Sequence, residues 1–101
     1  MQEITVQELK QLMDSKADFQ LIDVREEHEF DEANLKGHLI PMGEALERSS
    51  EIKKDKQVVI HCRSGKRSAT VISALESQQG YTNLYNLKGG ILAYIEEFGK
   101  L

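Results

Sequence analysis

The 101-residue sequence is poor in cysteine, in long apolar runs and in net positive charge, and each shortage excludes a class of protein. Cys62 is the only cysteine, so an intramolecular disulfide is impossible. An unpaired thiol favours a reducing compartment, which we expect to be the cytoplasm. No apolar run approaches the ~20 residues of a membrane helix, and the N-terminus lacks the pattern of a secretory signal. The net charge of −4 argues against direct nucleic-acid binding, which usually needs a basic surface.

Apolar segments separated by polar connectors predict a single α/β domain over residues 1–101. Residues 19–24, FQLIDV, have few polar members and no regular alternation, as in a parallel strand that is covered on both faces. We predict a central, mostly parallel five-stranded sheet with helices on both faces. The first predicted strand is short and ends at Ile4, and the other four cover residues 19–24, 35–40, 57–61 and 81–87. The predicted helices cover residues 5–13, 25–30, 43–48, 68–79 and 91–98.

The segment HCRSGKRSA, residues 61–69, carries the strongest chemical signal. Cys62 ends an apolar strand and opens a loop with one glycine and three cations. In parallel sheets, ligands bind beyond the carboxyl ends of the strands. Backbone N–H groups of such a loop, together with the next helix N-terminus, can form a cup for an anion, and Gly65 allows the turn. The three cations are Arg63, Lys66 and Arg67.

The same surroundings predict an activated thiol. A free cysteine has a pKa of ~8.5, and a helix N-terminus with nearby Arg or Lys can lower it to roughly 3.5–7.5. Such a thiolate can attack an electrophilic sulfur or phosphorus centre. The alternative is that Cys62 is a small buried residue at a strand end and that the cations form a solvated rim.

Two further groups of residues admit more than one role. Asp23 could cap the helix that begins near Arg25, or it could support the active loop together with Arg25. The acidic run at residues 26–29 is expected to be a solvated helix face. The histidines have separations that fit no recognised metal-ligand pattern, so we predict no metal site. They are His28, His38 and His61.

Four segments, taken in order, resemble the single-domain rhodanese family of sulfurtransferases. They are LIDVRE (21–26), GHLIP (37–41), CRSGKRS (62–68) and NLYNLKGGILAY (83–94). The resemblance implies a rhodanese-like fold in which Cys62 carries sulfur as a persulfide. The sulfur would pass from a small anionic donor such as thiosulfate to cyanide, a thiol or a sulfur-relay protein, and the cycle needs no metal or organic cofactor. The resemblance implies donor binding by Arg63, Ser64, Gly65, Lys66 and Arg67, with support from Asp23, Arg25 and Ser68.

Two rival functions share parts of this pattern. Cysteine phosphatases and arsenate reductases hold five residues between cysteine and arginine, whereas four separate Cys62 from Arg67. A phosphate needs a ring of N–H donors and a bidentate arginine, and the shorter loop fits a single sulfur more readily. A rhodanese-like module that docks a partner without catalysis is the other alternative, and the retained cysteine and basic loop count against it. His61 and Tyr94 depart from the family pattern, which more often has an apolar residue and tryptophan there.

Overall fold

The computed structural model describes all residues, 1–101. Five strands alternate with four α-helices and two 3₁₀ turns. None of the helices combines the length and apolar character required to cross a membrane. In chain order the elements are β1 (Gln2–Ile4), α1 (Val6–Asp14), β2 (Phe19–Asp23), α2 (Glu27–Glu32), β3 (His38–Leu39), 3₁₀ turns at Met42–Glu44 and Ser49–Glu51, β4 (Gln57–His61), α3 (Lys66–Gln79), β5 (Leu84–Leu87) and α4 (Gly90–Phe98).

The strands form one sheet in the order β1-β5-β4-β2-β3, and every neighbouring pair is parallel. This confirms the predicted α/β fold, with a sheet that is parallel throughout. β4 lies at the centre, and its residues Val58, Val59 and Ile60 are fully buried because helices cover both faces. The parallel arrangement brings the carboxyl ends of all strands to one edge. At this edge Asp23, the last residue of β2, lies beside His61, the last residue of β4, as its partner in the sheet register.

The two sides of the sheet carry separate cores. Ile60 and Cys62 point to the side covered by α3, where they join a cluster of thirteen buried residues. Val59 points to the other side and joins a cluster of eight buried residues with α1 and α4. Alternate residues of a strand face opposite sides, so His61 and the thiol of Cys62 lie on different faces.

Helix α1 begins as the sequence predicts. The N–H of Glu8 donates to Thr5 Oγ1 at 3.1 Å, and the N–H of Thr5 donates to Glu8 Oε1 at 2.9 Å. This reciprocal capping box satisfies two N–H groups that the first turn leaves without partners.

Two predicted elements on the edge-strand side are wrong in kind or length. The helix predicted over residues 43–48 is replaced by the 3₁₀ turn at Met42–Glu44 and further turns. A segment this short that contains Gly43 does not offset the cost of helix nucleation. The strand predicted over residues 35–40 shortens to His38–Leu39. It lies at the sheet edge, and Pro41 follows it with no N–H to continue the ladder.

Other boundaries shift for local reasons. Helix α3 begins at Lys66, two residues before the predicted start, because Gly65 adopts the left-handed conformation with φ of +108° and caps the helix. Helix α2 begins two residues later than predicted, since the N–H of Arg25 is taken by the Asp23 carboxylate. β5 begins at Leu84 rather than at residue 81.

Helix α4 docks end-on against the chain that leaves β4. The N–H groups of Ile91 and Leu92 donate to the carbonyls of Cys62 and Arg63 at 3.0 and 3.1 Å. Gly90 makes this approach possible, because a Cβ at its position would lie 2.4 Å from the Arg63 oxygen. Its φ of +62° also favours glycine.

We predict that Gly90→Ala destabilises the protein by about 3 kcal/mol or more, because left-handed strain adds to the steric clash with a backbone carbonyl. Urea-induced unfolding measures this loss. Gly80→Ala is the matched control. Gly80 has a similar φ of +69° with no atom near the added Cβ, so only the strain of about 1 kcal/mol is expected. Equal losses in the two variants would show that the close approach of α4 has no energetic weight.

Candidate active site

Cys62 directly follows β4, and its side chain is buried at the carboxyl edge of the sheet. Only 1% of the residue is exposed, and it packs within the core on the α3 side. Its burial agrees with the alternative in which Cys62 is merely a small core residue. The atoms around its sulfur, however, are polar.

Backbone N–H groups from the loop and from α3 point at the Cys62 sulfur. The N–H of Gly65 donates to Sγ at 3.1 Å, and that of Ser68 donates at 3.5 Å. Ser68 lies in the first turn of α3, so the partial positive charge of the helix N-terminus adds to these bonds. Gly65 is required here for its backbone conformation rather than for space, because a Cβ would meet no atom closer than 3.8 Å.

A side-chain network behind the sulfur fixes the loop to β5. Ser68 Oγ lies 3.4 Å from Cys62 Sγ and donates to Asn86 Oδ1 at 2.6 Å. The amide of Asn86 donates in turn to the carbonyl of Gly65 at 3.1 Å. Ser68 and Asn86 are both buried. Because Ser68 has one hydroxyl proton and two acceptors near it, the proton can serve Asn86 or an ionised sulfur.

The pKa of Cys62 lies below its ordinary value because two opposing effects do not balance. Burial raises the pKa, since the thiolate loses solvation. Hydrogen bonds from the Ser68 hydroxyl and from the N–H groups of Ser68, Gly65 and Ser64 lower it, and together they exceed the effect of burial. The loop therefore favours the nucleophilic form of the thiol.

Arg67 is held by a carboxylate from another helix. Its Nη1 and Nη2 atoms donate to Glu29 Oε1 and Oε2 at 2.7 and 2.9 Å. The bidentate bond to Arg67 is the main reason that the pKa of Glu29 falls to about 2. The acidic run at residues 26–29 is thus not a solvated face throughout, because Glu29 links α2 to the start of α3.

The other loop residues face solvent. Arg63, Ser64 and Lys66 are exposed, and neither cation has an ion-pair partner. Their side chains are free to meet an anion that approaches the loop. None of these side chains forms a hydrogen bond with the Cys62 sulfur, although the backbone N–H of Ser64 does.

Asp23 and Arg25 form a buried ion pair on the side of the sheet opposite the thiol. The Arg25 guanidinium donates to both Asp23 carboxylate oxygens at 2.8–3.1 Å, and Nη2 also donates to the carbonyl of Ala33 at 2.8 Å. The capping role considered for Asp23 is wrong, because Glu26 precedes the first turn of α2. The pair instead holds the end of α2 against the end of β2.

His61 is fully buried beside this pair. Its Nδ1 lies 3.3 Å from the carbonyl of Cys62, and its Nε2 lies 3.7 Å from Asp23 Oδ2 without a hydrogen-bond partner. Burial lowers the pKa of His61 more than the Asp23 charge raises it. The ring is therefore neutral near pH 7, and it contacts Cys62 only through the backbone.

Sequence reasoning missed two residues of this site. Asn86 was detectable as a polar residue within the apolar strand NLYNL, close to its carboxyl end. Glu29 had no comparable signal, since its partner Arg67 lies 38 residues away along the chain.

Comparison with known proteins places this chain in a family. The rhodanese-like domain model matches residues 5–97. The chain is 42% identical over 98 residues to a sulfurtransferase of Allochromatium vinosum, and the match covers 91% of this chain and 86% of that protein. It is also 32% identical over 90 residues to the putative sulfur carrier protein YrkF of Bacillus subtilis. That match covers 88% of this chain and 48% of YrkF.

The fold comparison agrees. A rhodanese-like domain protein from Staphylococcus aureus superposes with a TM-score of 0.84 and 30% identity, over 93% of this chain and 91% of that one. Sulfur transfer is supported at the level of the family, because proteins named for it recur among these relatives. The chain belongs to the rhodanese-like domain family.

Proposed function

We propose that the protein moves a sulfane sulfur from a donor to a nucleophilic acceptor through a persulfide on Cys62. The observation that carries this proposal is the set of N–H groups aimed at one buried sulfur atom, those of Gly65 and Ser68. They would stabilise negative charge on the thiolate before the reaction and on the persulfide after it.

The first half of the cycle loads the enzyme. With thiosulfate as donor, the Cys62 thiolate attacks the terminal sulfur, and its electron pair forms the new S–S bond. The S–S bond of thiosulfate breaks, and its electron pair leaves with sulfite. No proton, oxidant or reductant is consumed, so the step needs no cofactor.

The second half unloads it. An acceptor nucleophile attacks the outer sulfur, and the Cys62 thiolate leaves. Cyanide would yield thiocyanate, and a thiolate would yield a persulfide, which gives ping-pong kinetics. We propose a thiol or a sulfur-relay protein as the cellular acceptor, in line with the relative named as a putative sulfur carrier.

A free thiol at the centre of the cycle suits a reducing compartment, and we propose the cytoplasm.

The loop cations would receive the anionic donor. Arg63 and Lys66 are exposed and unpaired, so they can attract it to the mouth of the loop. Arg67 belongs to the same loop and would also face the donor, although both of its terminal nitrogens bind Glu29 in this structure. Ser68 would support the reaction by its contact with the sulfur, whereas Asp23 and Arg25 would support it indirectly, by holding α2 and the strand ends.

The burial of the thiol favours sulfur over phosphate as the group transferred. A residue with 1% exposure admits a narrow terminal sulfur atom more readily than a tetrahedral phosphoryl group. In addition, Arg67 already makes its bidentate bond to Glu29, the bond that a phosphatase would use for phosphate.

We predict that incubation with thiosulfate adds one sulfur atom to the protein, that cyanide removes it, and that Cys62→Ser abolishes the addition. Intact-mass spectrometry measures each state, and the assignment is direct because the chain has no other cysteine. Turnover of an aryl phosphate without sulfur loading would favour the phosphatase instead. Neither activity, with a specific partner bound, would favour the docking module.

A second prediction concerns activation of the thiol. Ser68→Ala removes the hydroxyl that can turn to an ionised sulfur, so it should raise the pKa of Cys62 and lower the rate of sulfur loading at pH 7 by about tenfold. The thiolate absorbance at 240 nm, followed against pH, reports the pKa of the single cysteine. Stopped-flow measurement of loading gives the rate.

Ser77→Ala is the control for this change, because Ser77 lies on the same helix, is exposed and bonds only to the carbonyl of Ala74. It should leave both quantities unchanged. An unaltered or lowered pKa of Cys62 in Ser68→Ala would mean that the hydroxyl proton stays with Asn86 and that the backbone N–H groups alone activate the thiol.

A further inference from the structure

One arginine at the end of the cysteine loop already has an anionic partner. Arg67 lies in the first turn of α3, and both of its terminal nitrogens bind the carboxylate of Glu29. An anionic donor that sought this guanidinium would find its planar, bidentate face occupied. The carboxylate would also repel any oxyanion placed beside it.

Glu29 is fixed in this position. Its Oε1 atom also accepts the N–H of Glu26 at 3.0 Å, so the carboxylate is shared between the cap of α2 and Arg67. Arg25 holds the same helix by donating to the carbonyls of Glu29 and Ala33. With a pKa of about 2, Glu29 remains ionised at neutral pH, and protonation does not release Arg67 there.

Donors of sulfane sulfur differ in how much they need a free arginine. Thiosulfate carries two negative charges, mostly on a sulfonate group that must be neutralised near the thiolate. A persulfide in its protonated form, R–S–SH, carries no charge at its reacting end, so it gains less from a guanidinium and loses less to a carboxylate.

We propose that Glu29 is a specificity-determining residue: by occupying Arg67, it makes the site discriminate against dianionic donors such as thiosulfate and favour low-charge sulfane donors, the persulfides R–S–SH. The inference rests on the proposed function and deepens it by naming the donor class. In the favoured loading step, the Cys62 thiolate attacks the terminal sulfur of R–S–SH. The Cys62 persulfide forms, the original S–S bond breaks, and R–S⁻ leaves with its electron pair.

Two donors with the same transferable sulfur and different charge test this inference. Thiosulfate is a dianion, and methanethiosulfonate is a monoanion whose leaving group is a sulfinate. With cyanide as acceptor, thiocyanate formation gives kcat/KM for each donor, which in a ping-pong cycle reports the loading half-reaction alone. The ratio of the two kcat/KM values cancels any general change in the reactivity of Cys62.

Glu29→Gln is the test variant, because glutamine keeps the capping bond to Glu26 and removes the charge. The ratio of thiosulfate to methanethiosulfonate should rise by about fivefold. Glu27→Gln is the matched control. It makes the same change in net charge on the same helix, and Glu27 is exposed and bonded to no loop residue. Its ratio should stay at the wild-type value.

A double variant shows whether the gain passes through Arg67. In Glu29→Gln/Arg67→Ala the ratio should fall back to that of Arg67→Ala alone, because no guanidinium remains to be released. If Glu29→Gln unfolds, Glu29→Asp replaces it, since the shorter carboxylate cannot hold both nitrogens from the same backbone.

An unchanged ratio in Glu29→Gln, an equal rise in Glu27→Gln, or a gain that survives loss of Arg67 would overturn the inference while leaving sulfur transfer intact. Failure of both donors to add sulfur to wild-type Cys62 would instead overturn the proposed function, and the inference with it. The two failures are therefore distinguishable by intact mass before any kinetics are measured.

Discussion

The arrangement of this site depends on one requirement: a sulfur atom with negative charge, almost removed from water, must be met by N–H groups that already point at it. The N–H groups of Gly65 and Ser68 meet it, and the N-terminus of α3 supplies their direction. Burial alone would raise the pKa of Cys62 and disfavour the nucleophilic thiolate. The net lowering of that pKa depends on the donors remaining in place, and much of the surrounding structure holds them there.

Two elements hold the loop from different sides. Asn86 on β5 bonds to Ser68 and to the carbonyl of Gly65, so a polar residue within an apolar strand connects both ends of the turn. On the outer side, the first N–H groups of α4 take the carbonyls of Cys62 and Arg63. Gly90 permits that contact, which gives this glycine a role in positioning the candidate active site as well as in starting the helix.

The sequence was sufficient to predict the parallel sheet and the position of Cys62 at its edge, because both depend on local patterns. The apolar strand at residues 57–61 and the glycine-containing basic loop are contiguous in the chain. The sequence was insufficient to predict the short edge strand at His38–Leu39 and the turns near Gly43, where few contacts decide between similar conformations.

The pairing of Glu29 with Arg67 also could not be predicted, since it depends on how two helices meet across the sheet edge. Asp23 shows a third limit, because its carboxylate pairs with Arg25 while Glu26 caps α2, and the sequence alone does not reveal which residue takes the cap.

One peptide group after β4 is bound at both of its ends. In the peptide that joins Arg63 to Ser64, the carbonyl accepts from the N–H of Leu92, and the N–H donates to the Cys62 sulfur. This peptide plane cannot rotate to improve one of the two bonds without breaking the other. The donors around the sulfur are therefore oriented before any reactant arrives, so the proposed sulfur transfer would spend little free energy on rearranging the loop.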